Sequence, residues 1–282
     1  MDRLFILFQY FSPHQLLSRF TGWLAERSRP VWFKNALIRL FAGQFRVDMS
    51  EASEPDLTGY ANFNDFFTRP LREGVRPLAE ADIVCPADGA ISQMGNITQG
   101  KLLQAKGRYF SLESLLGGDV ERAGQYADGR FATIYLSPRD YHRVHMPQSA
   151  RLTGTTYIPG KLFSVNGVTA EHVDNLFARN ERLVCFFETQ SGPMAMVLVG
   201  AMIVAGIRTV WSGQVAPPPR TQQRIDFTAA PAEVSLDKGV EMGRFLLGST
   251  VILLYPPGVM HWDSQYAAGS PTRVGEALGH LT

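Results

Sequence analysis

Ser249 stands inside an apolar run. Phe245, Leu246 and Leu247 precede Gly248, and Val251, Ile252, Leu253, Leu254 and Tyr255 follow Thr250. A serine beside a glycine at such a place invites chemistry on the backbone itself. Glycine has no Cβ, so another group can approach its carbonyl closely. The neighbouring hydroxyl becomes a nucleophile once a base removes its proton. Attack on the Gly248 carbonyl would cut the chain between Gly248 and Ser249. The same pair also suits a bulge, or a turn between two short strands.

A base is available. Residues 137–147 read Ser-Pro-Arg-Asp-Tyr-His-Arg-Val-His-Met-Pro, so two of the six histidines, His142 and His145, fall in one short stretch. It follows Phe131, Ala132, Thr133, Ile134, Tyr135 and Leu136, which read as a β-strand. The histidines therefore lie just past a strand end, where functional groups are often displayed. A carboxylate is available in Asp88, within Cys85-Pro86-Ala87-Asp88-Gly89, a turn that precedes another apolar segment. Asp, His and Ser from distant parts of a chain form a triad in any order, because geometry defines it. Each residue has a plainer use: Asp-Gly is a common turn pair, and most histidines are satisfied structural groups. The spacing of the two histidines, without acidic or cysteine ligands nearby, gives no metal site, and none is expected.

The elements that must position these residues are also legible. At 282 residues with a net charge of +1, the chain can bury a full core and shows no basic excess for nucleic acid. Short β-branched runs punctuated by Gly and Pro predict a β-rich core of mainly antiparallel sheets. With N-terminal amphipathic helices, the expected class is α+β. The uncharged residues 194–207 contain Gly200 and Gly206 and read as buried sheet, not as a membrane span. A helix is expected over 169–176. Cys85 and Cys185 give no disulfide framework, which suits a reducing cytoplasmic setting. Residues 48–60 are acidic and turn-rich, so the chain divides into a segment 1–58 and a catalytic domain 59–282.

Residues 1–46 carry seven basic side chains against two acidic ones, a net +5. Ser12-Pro13 reads as a helix start, and Leu16, Leu17, Phe20, Trp23 and Leu24 share one face. Trp32, Phe33, Ala36, Leu37, Leu40 and Phe41 repeat the pattern after Pro30. Such helices pack on a core or lie in a membrane interface, with Arg and Lys meeting anionic lipid. The block Leu4 to Phe8 is short, and no small-residue cleavage site follows, so no secretory signal is expected.

Taken together, residues 137–147 and Leu247-Gly248-Ser249-Thr250 resemble the phosphatidylserine decarboxylase proenzymes of the bacterial membrane-associated type. So do Phe63-Asn64-Asp65-Phe66-Phe67-Thr68-Arg69-Pro70-Leu71, Cys85-Pro86-Ala87-Asp88-Gly89, residues 159–166 and residues 175–182, in the same order along about 60 to 262. The residues after Trp262 show no likeness to the family's active site.

The resemblance implies a pyruvoyl-dependent enzyme that makes its own cofactor. Asp88 would orient His145, His145 would deprotonate Ser249, and serinolysis at Gly248-Ser249 would leave a covalent pyruvoyl group at the new N-terminus. The products would be chains 1–248 and 249–282, a heterodimer that forms a homodimer of such pairs. The pyruvoyl keto group would act as electron sink when carbon dioxide leaves the substrate. His142 would stand beside the substrate carboxylate or the carbon to be protonated. A phospholipid substrate favours the interfacial reading, with Leu16, Phe20, Trp23, Trp32 and Phe33 touching anionic lipid at the cytoplasmic face of the inner membrane. Two other functions fit parts of the pattern. A serine hydrolase could use Asp88, His145 and Ser249 without cutting itself, although a Gly-x-Ser-x-Gly elbow is missing. A non-enzymatic membrane-bound β-rich scaffold would need none of them.

Overall fold

A computed structural model describes residues 6, 9, 10, 14–202, 206–216, 221–229, 232–246 and 249–282. The fold is α+β, built on one large antiparallel sheet. That sheet runs in the order β12 (Gln223–Asp226), β7 (Ala150–Ile158), β8 (Arg182–Thr189), β9 (Gly192–Gly200), β15 (Ser249–Tyr255), β5 (Arg130–Leu136), β2 (Gly89–Asn96) and β17 (Pro271–Thr272). The short β13 (Ser235–Leu236) also pairs with β7. A four-stranded sheet follows the order β11 (Gly213–Ala216), β10 (Ile207–Thr209), β14 (Glu241–Phe245) and β6 (Arg143–His145). A third sheet joins β1 (Ile83–Val84), β18 (Ala277–Leu281) and β16 (Met260–Trp262), and β3 (Lys101–Ala105) with β4 (Arg108–Ser111) forms a hairpin.

The sequence of β15, Ser-Thr-Val-Ile-Leu-Leu-Tyr, explains its central place. Every residue of it is buried, as suits a strand covered on both faces. Side chains alternate across the sheet. Val251, Leu253 and Tyr255 join Ile134, Leu136, Val144, Met146 and Phe245 in one apolar layer. Ile252 and Leu254 join Val197, Val199, Phe110 and Phe177 in the opposite layer. The first layer lies against the smaller sheet that carries β6, and so against the histidines. Full burial of one such Leu or Phe stabilises the fold by about 1.5–3 kcal/mol.

Seven helices are described at full length: α1 (His14–Ala25), α2 (Val31–Phe45), α3 (Phe63–Phe67), α4 (Leu112–Leu115), α5 (Val120–Tyr126), α6 (Gly167–His172) and α7 (Leu176–Arg179). No described helix is long and apolar enough to cross a membrane. A third apolar cluster joins Ala25 of α1 and Ile38 and Ala42 of α2 to Tyr60, Phe63, Phe66 and Phe67. The acidic stretch 48–60 thus connects two segments that share one core.

Two sequence expectations need correction. The helix expected over 169–176 is two short helices. Asn175 sits at φ 54 between them, a left-handed conformation that Asn tolerates. The buried Gln104 holds the break: its Nε2 donates to the Ala170 and Val173 carbonyls, and its Oε1 accepts from Leu176 N–H. The apolar run 194–207 contributes buried strand at both of its ends, in keeping with its reading as sheet. β9 ends at Gly200, and Ile207 opens β10 in another sheet. Lys34, counted among the lipid-facing cations, is buried, and its ammonium donates to the Thr58 and Tyr60 carbonyls. Ser12 and Pro13 lie outside the described residues.

Candidate active site

Ser249 opens β15 opposite Leu136 of β5 and Gly200 of β9. Strand alternation turns its side chain to the layer that holds Leu136 and Val144. Gly200 has no side chain to crowd it. The Ser249 hydroxyl is shielded from solvent and has no hydrogen-bond partner among the described residues. An unsatisfied buried hydroxyl costs about 1–3 kcal/mol. Gly248, on the other side of the expected cut, lies outside the described residues.

His142 is flanked by the segments that lead to and face Ser249. Leu136, opposite Ser249, is followed by a turn in which Ser137 N–H and Oγ both donate to Asp140 Oδ2 at 2.7 Å. That turn delivers His142. On the other side, Phe245 N–H donates to the His142 carbonyl at 3.1 Å, just upstream of the expected cut. The imidazole is fully buried. Its Nδ1 lies 2.8 Å from the Asp140 carbonyl. A carbonyl only accepts, so Nδ1 carries the proton and Nε2 presents a lone pair. That Nε2 has no partner among the described residues. Burial, with a lesser contribution from Arg69, pushes the His142 pKa down from 6.5 to about 3, so the ring is neutral.

His145, at the end of β6, is held in the same tautomer. Its Nδ1 donates to the Gly239 carbonyl at 2.7 Å, and Nε2 accepts from the Tyr141 hydroxyl at 3.1 Å. Burial lowers its pKa, with Arg143 acting the same way, while the Gly239 hydrogen bond, Glu241 and Asp88 act in the opposite direction. His145 N–H also donates to the Pro86 carbonyl at 2.8 Å, which ties β6 to the turn bearing Asp88. His145, Tyr141, Arg143, Glu241, Arg76 and Arg72 line a cavity of about 300 Å³.

Asp88 is buried, but it holds neither imidazole. Its carboxylate takes Arg76 Nε at 3.1 and 3.2 Å and Arg76 Nη2 at 2.5 Å, and accepts from Val274 N–H at 2.8 Å. Arg76 in turn reaches Glu51 at 2.7 Å. The expectation that Asp88 bonds and orients His145 is therefore corrected: Gly239 orients the ring, and Asp88 reaches it only through its electrostatic field. Gly89, next in the chain, is required by close packing, because a Cβ there would lie 2.2 Å from the Tyr135 carbonyl oxygen.

The segment 63–69 buttresses this site. The Phe67 ring lies 4.0 Å from that of His142, centroid to centroid. Arg69 Nη2 donates to the Arg139 carbonyl at 3.1 Å, and Arg143 Nε donates to the Thr68 carbonyl at 2.9 Å. Arg69, Arg76, Tyr141 and Val274 were missed by sequence reasoning. For Arg69 a signal existed, since it lies inside the motif 63–71. Arg76 and Val274 gave none, because their roles arise only from chain crossings.

The N-terminal helices present a separate surface. Leu16, Phe20, Trp23 and Trp32 are 68, 60, 52 and 71% exposed, and Phe33 is half-buried. The Phe20 and Trp23 rings stack at 6.0 Å, and the Arg27 guanidinium lies 3.9 Å above Trp23.

A family model described as phosphatidylserine decarboxylase matches residues 63–280, and a second, described as PSD, matches residues 4–46. The chain belongs to the phosphatidylserine decarboxylase family. It is a decarboxylase of the carboxy-lyase class. A phosphatidylserine decarboxylase proenzyme of Ectopseudomonas mendocina is 57% identical over 99% of this chain and 98% of its own. Proenzymes of the same name from Acidovorax ebreus and Pseudomonas aeruginosa are 56 and 55% identical, over 99 and 98% of this chain and 98 and 96% of theirs. The two family matches together cover the N-terminal helices, the histidine turn and β15.

Proposed function

We propose that this chain is the precursor of a pyruvoyl-dependent enzyme that converts phosphatidylserine to phosphatidylethanolamine. The observation that carries the reading is the buried, unpartnered Ser249 hydroxyl at the head of β15, in a chain of this family. Ser249 Oγ attacks the Gly248 carbonyl carbon. Its proton passes to a histidine and on to the departing amide nitrogen, and the peptide bond becomes an ester. Elimination removes the Ser249 α-proton and releases the Gly248 carboxylate. Hydrolysis of the residue left behind expels ammonia and gives a pyruvoyl group on chain 249–282. That group supplies the electron sink for decarboxylation.

His145 is assigned as the base. A base must become cationic, and at His145 burial and Arg143 oppose the charge while the Gly239 hydrogen bond and the field of Glu241 and Asp88 favour it. His142 faces the opposing field of Arg69. The Tyr141 hydroxyl that occupies His145 Nε2 is a rotor and can turn away. Asp88 then stabilises the imidazolium at a distance, with Arg76 and Val274 fixing its carboxylate. The neutral His142 is left to the substrate, beside the reacting carbon.

The exposed apolar face of α1 and the start of α2 fits the lipid surface where such a substrate resides. Leu16, Phe20, Trp23, Trp32 and Phe33 enter the interface, and exposed Arg27, Arg29 and Arg39 attract anionic headgroups. On this reading residues 1–58 dock the protein peripherally on the cytoplasmic face of the inner membrane, and residues 59–282 do the chemistry. Assembly of two processed units into a homodimer rests on the family resemblance.

Denaturing mass spectrometry tests the core of the proposal. Wild-type protein gives two chains, the smaller starting with a pyruvoyl-blocked residue 249. Ser249→Ala gives one full-length chain and no carbon dioxide from phosphatidylserine. An intact wild-type chain, or efficient cutting of the alanine variant, refutes the mechanism.

A further inference from the structure

Among the described residues, Arg69 is a buried cation without a counter-ion. Only 3% of it is exposed. Its Nε and Nη1 are shielded from solvent and meet no acceptor there. The nearby acids are engaged elsewhere: Asp88 with Arg76, Asp140 with Ser137, and Asp48 with the Ser50 N–H. Burying an unpaired guanidinium is among the costliest arrangements a fold can carry. It persists where the charge has a use.

The position of Arg69 indicates the use. It follows Phe67, whose ring packs on His142, and it reaches the Arg139 carbonyl beside the turn that delivers His142. Its charge is felt at the imidazole. Residues 63–69 and 137–142, which touch through Phe67 on His142 and Arg69 on Arg139, thus carry two unpartnered N–H donors and the unpartnered His142 Nε2.

We infer that Arg69 anchors the substrate headgroup by donating from Nε and Nη1 to its phosphodiester oxygens. This rests on the decarboxylase reading above. The headgroup has two anions, and the chemistry chooses between them. Decarboxylation turns the carboxylate into neutral carbon dioxide. A cation on that carboxylate would hold the ground state more strongly than the transition state and slow the reaction. The phosphodiester keeps its charge throughout, so contact with it binds substrate without opposing the chemical step. Neutralising Arg69 also removes a charge that disfavours protonation of His142.

The test uses the full-length uncut Ser249→Ala protein and two headgroup fragments. Glycerophosphoethanolamine has the phosphate without the carboxylate, and free serine has the carboxylate without the phosphate. Adding Arg69→Gln should weaken glycerophosphoethanolamine binding by at least about tenfold, the size of one lost charge-assisted contact. Arg69→Lys should restore part of it, and serine binding should not change. In the self-cleaving protein, Arg69→Gln should raise KM for phosphatidylserine, and Arg69→Lys should restore part of that loss. Unchanged glycerophosphoethanolamine binding, or a loss confined to serine, overturns the inference. If the Gln variant does not fold, the Arg69 Nε–H resonance, assigned with Arg69→Lys, decides: glycerophosphoethanolamine must shift it, and an unmoved resonance overturns the anchor. Binding is read on the uncut chain, so a failure of self-cleavage appears separately.

Discussion

His142 and His145 are held in one tautomer by backbone carbonyls, and burial disfavours a charge on both, but only His145 has carboxylates, Glu241 and Asp88, that offset it, against Arg143. His145→Ala should therefore abolish self-cleavage. His142→Ala should still be cut but decarboxylate at least about a hundredfold more slowly, as befits loss of a positioned proton-handling group. Gel analysis with a carbon dioxide assay separates the two, and swapped phenotypes would reverse the assignment. His142 also sets a pH dependence. Folded, it stays neutral down to about pH 3, whereas the unfolded chain protonates it near 6.5. Between these values the unfolded state binds the extra proton. The contribution is full above about pH 6.5 and is lost as pH falls toward 3. In thermal melts of uncut Ser249→Ala protein, adding His142→Gln should flatten the fall of Tm between pH 7 and 4. An unchanged slope would mean that the imidazole is less shielded than the fold indicates.

Among the elements, α1 shows how a periodic pattern becomes a surface. Leu16, Phe20 and Trp23 recur at helical spacing and remain exposed, although α2 reaches the core through Ile38 and Ala42. Replacing all three with serine should lower vesicle binding at least about tenfold, given the apolar area withdrawn from lipid. Self-cleavage at Ser249 should survive, because β15 and its neighbours are remote in sequence from α1. Co-sedimentation at low and high salt checks this. The basic residues make a part of binding that screening weakens, and the apolar part persists. Undiminished binding by the triple variant would show that this face does not enter the membrane.

The whole molecule determines what cleavage can and cannot release. β15 lies between β9 and β5, with backbone ladders on both sides, and β17 and β18 from the same C-terminal segment pair with β2 and β1 of the larger chain. Val274, also in that segment, holds Asp88. Cutting before Ser249 therefore severs the chain without freeing the piece. Native mass spectrometry should show chains 1–248 and 249–282 as one particle, and only denaturant should separate them, with loss of activity. Dissociation under native conditions would contradict this topology.

The sequence by itself determined a good deal. Serine beside glycine in an apolar run, two histidines past a strand and an acidic turn singled out the candidate site residues, because each carries a chemistry that few residue types share. Strand and helix periods fixed the class of fold, because side-chain direction follows directly from backbone geometry. Tertiary structure decided the rest. The partner of Asp88 is Arg76 and not His145, since the geometry of a hydrogen bond depends on chains meeting, not on residue type. The break at Asn175 depends on Gln104, and the burial of Lys34 depends on carbonyls at Thr58 and Tyr60. The unpaired state of Arg69 is equally invisible in one dimension, because a charge becomes a site only when the fold removes its water and supplies no counter-ion.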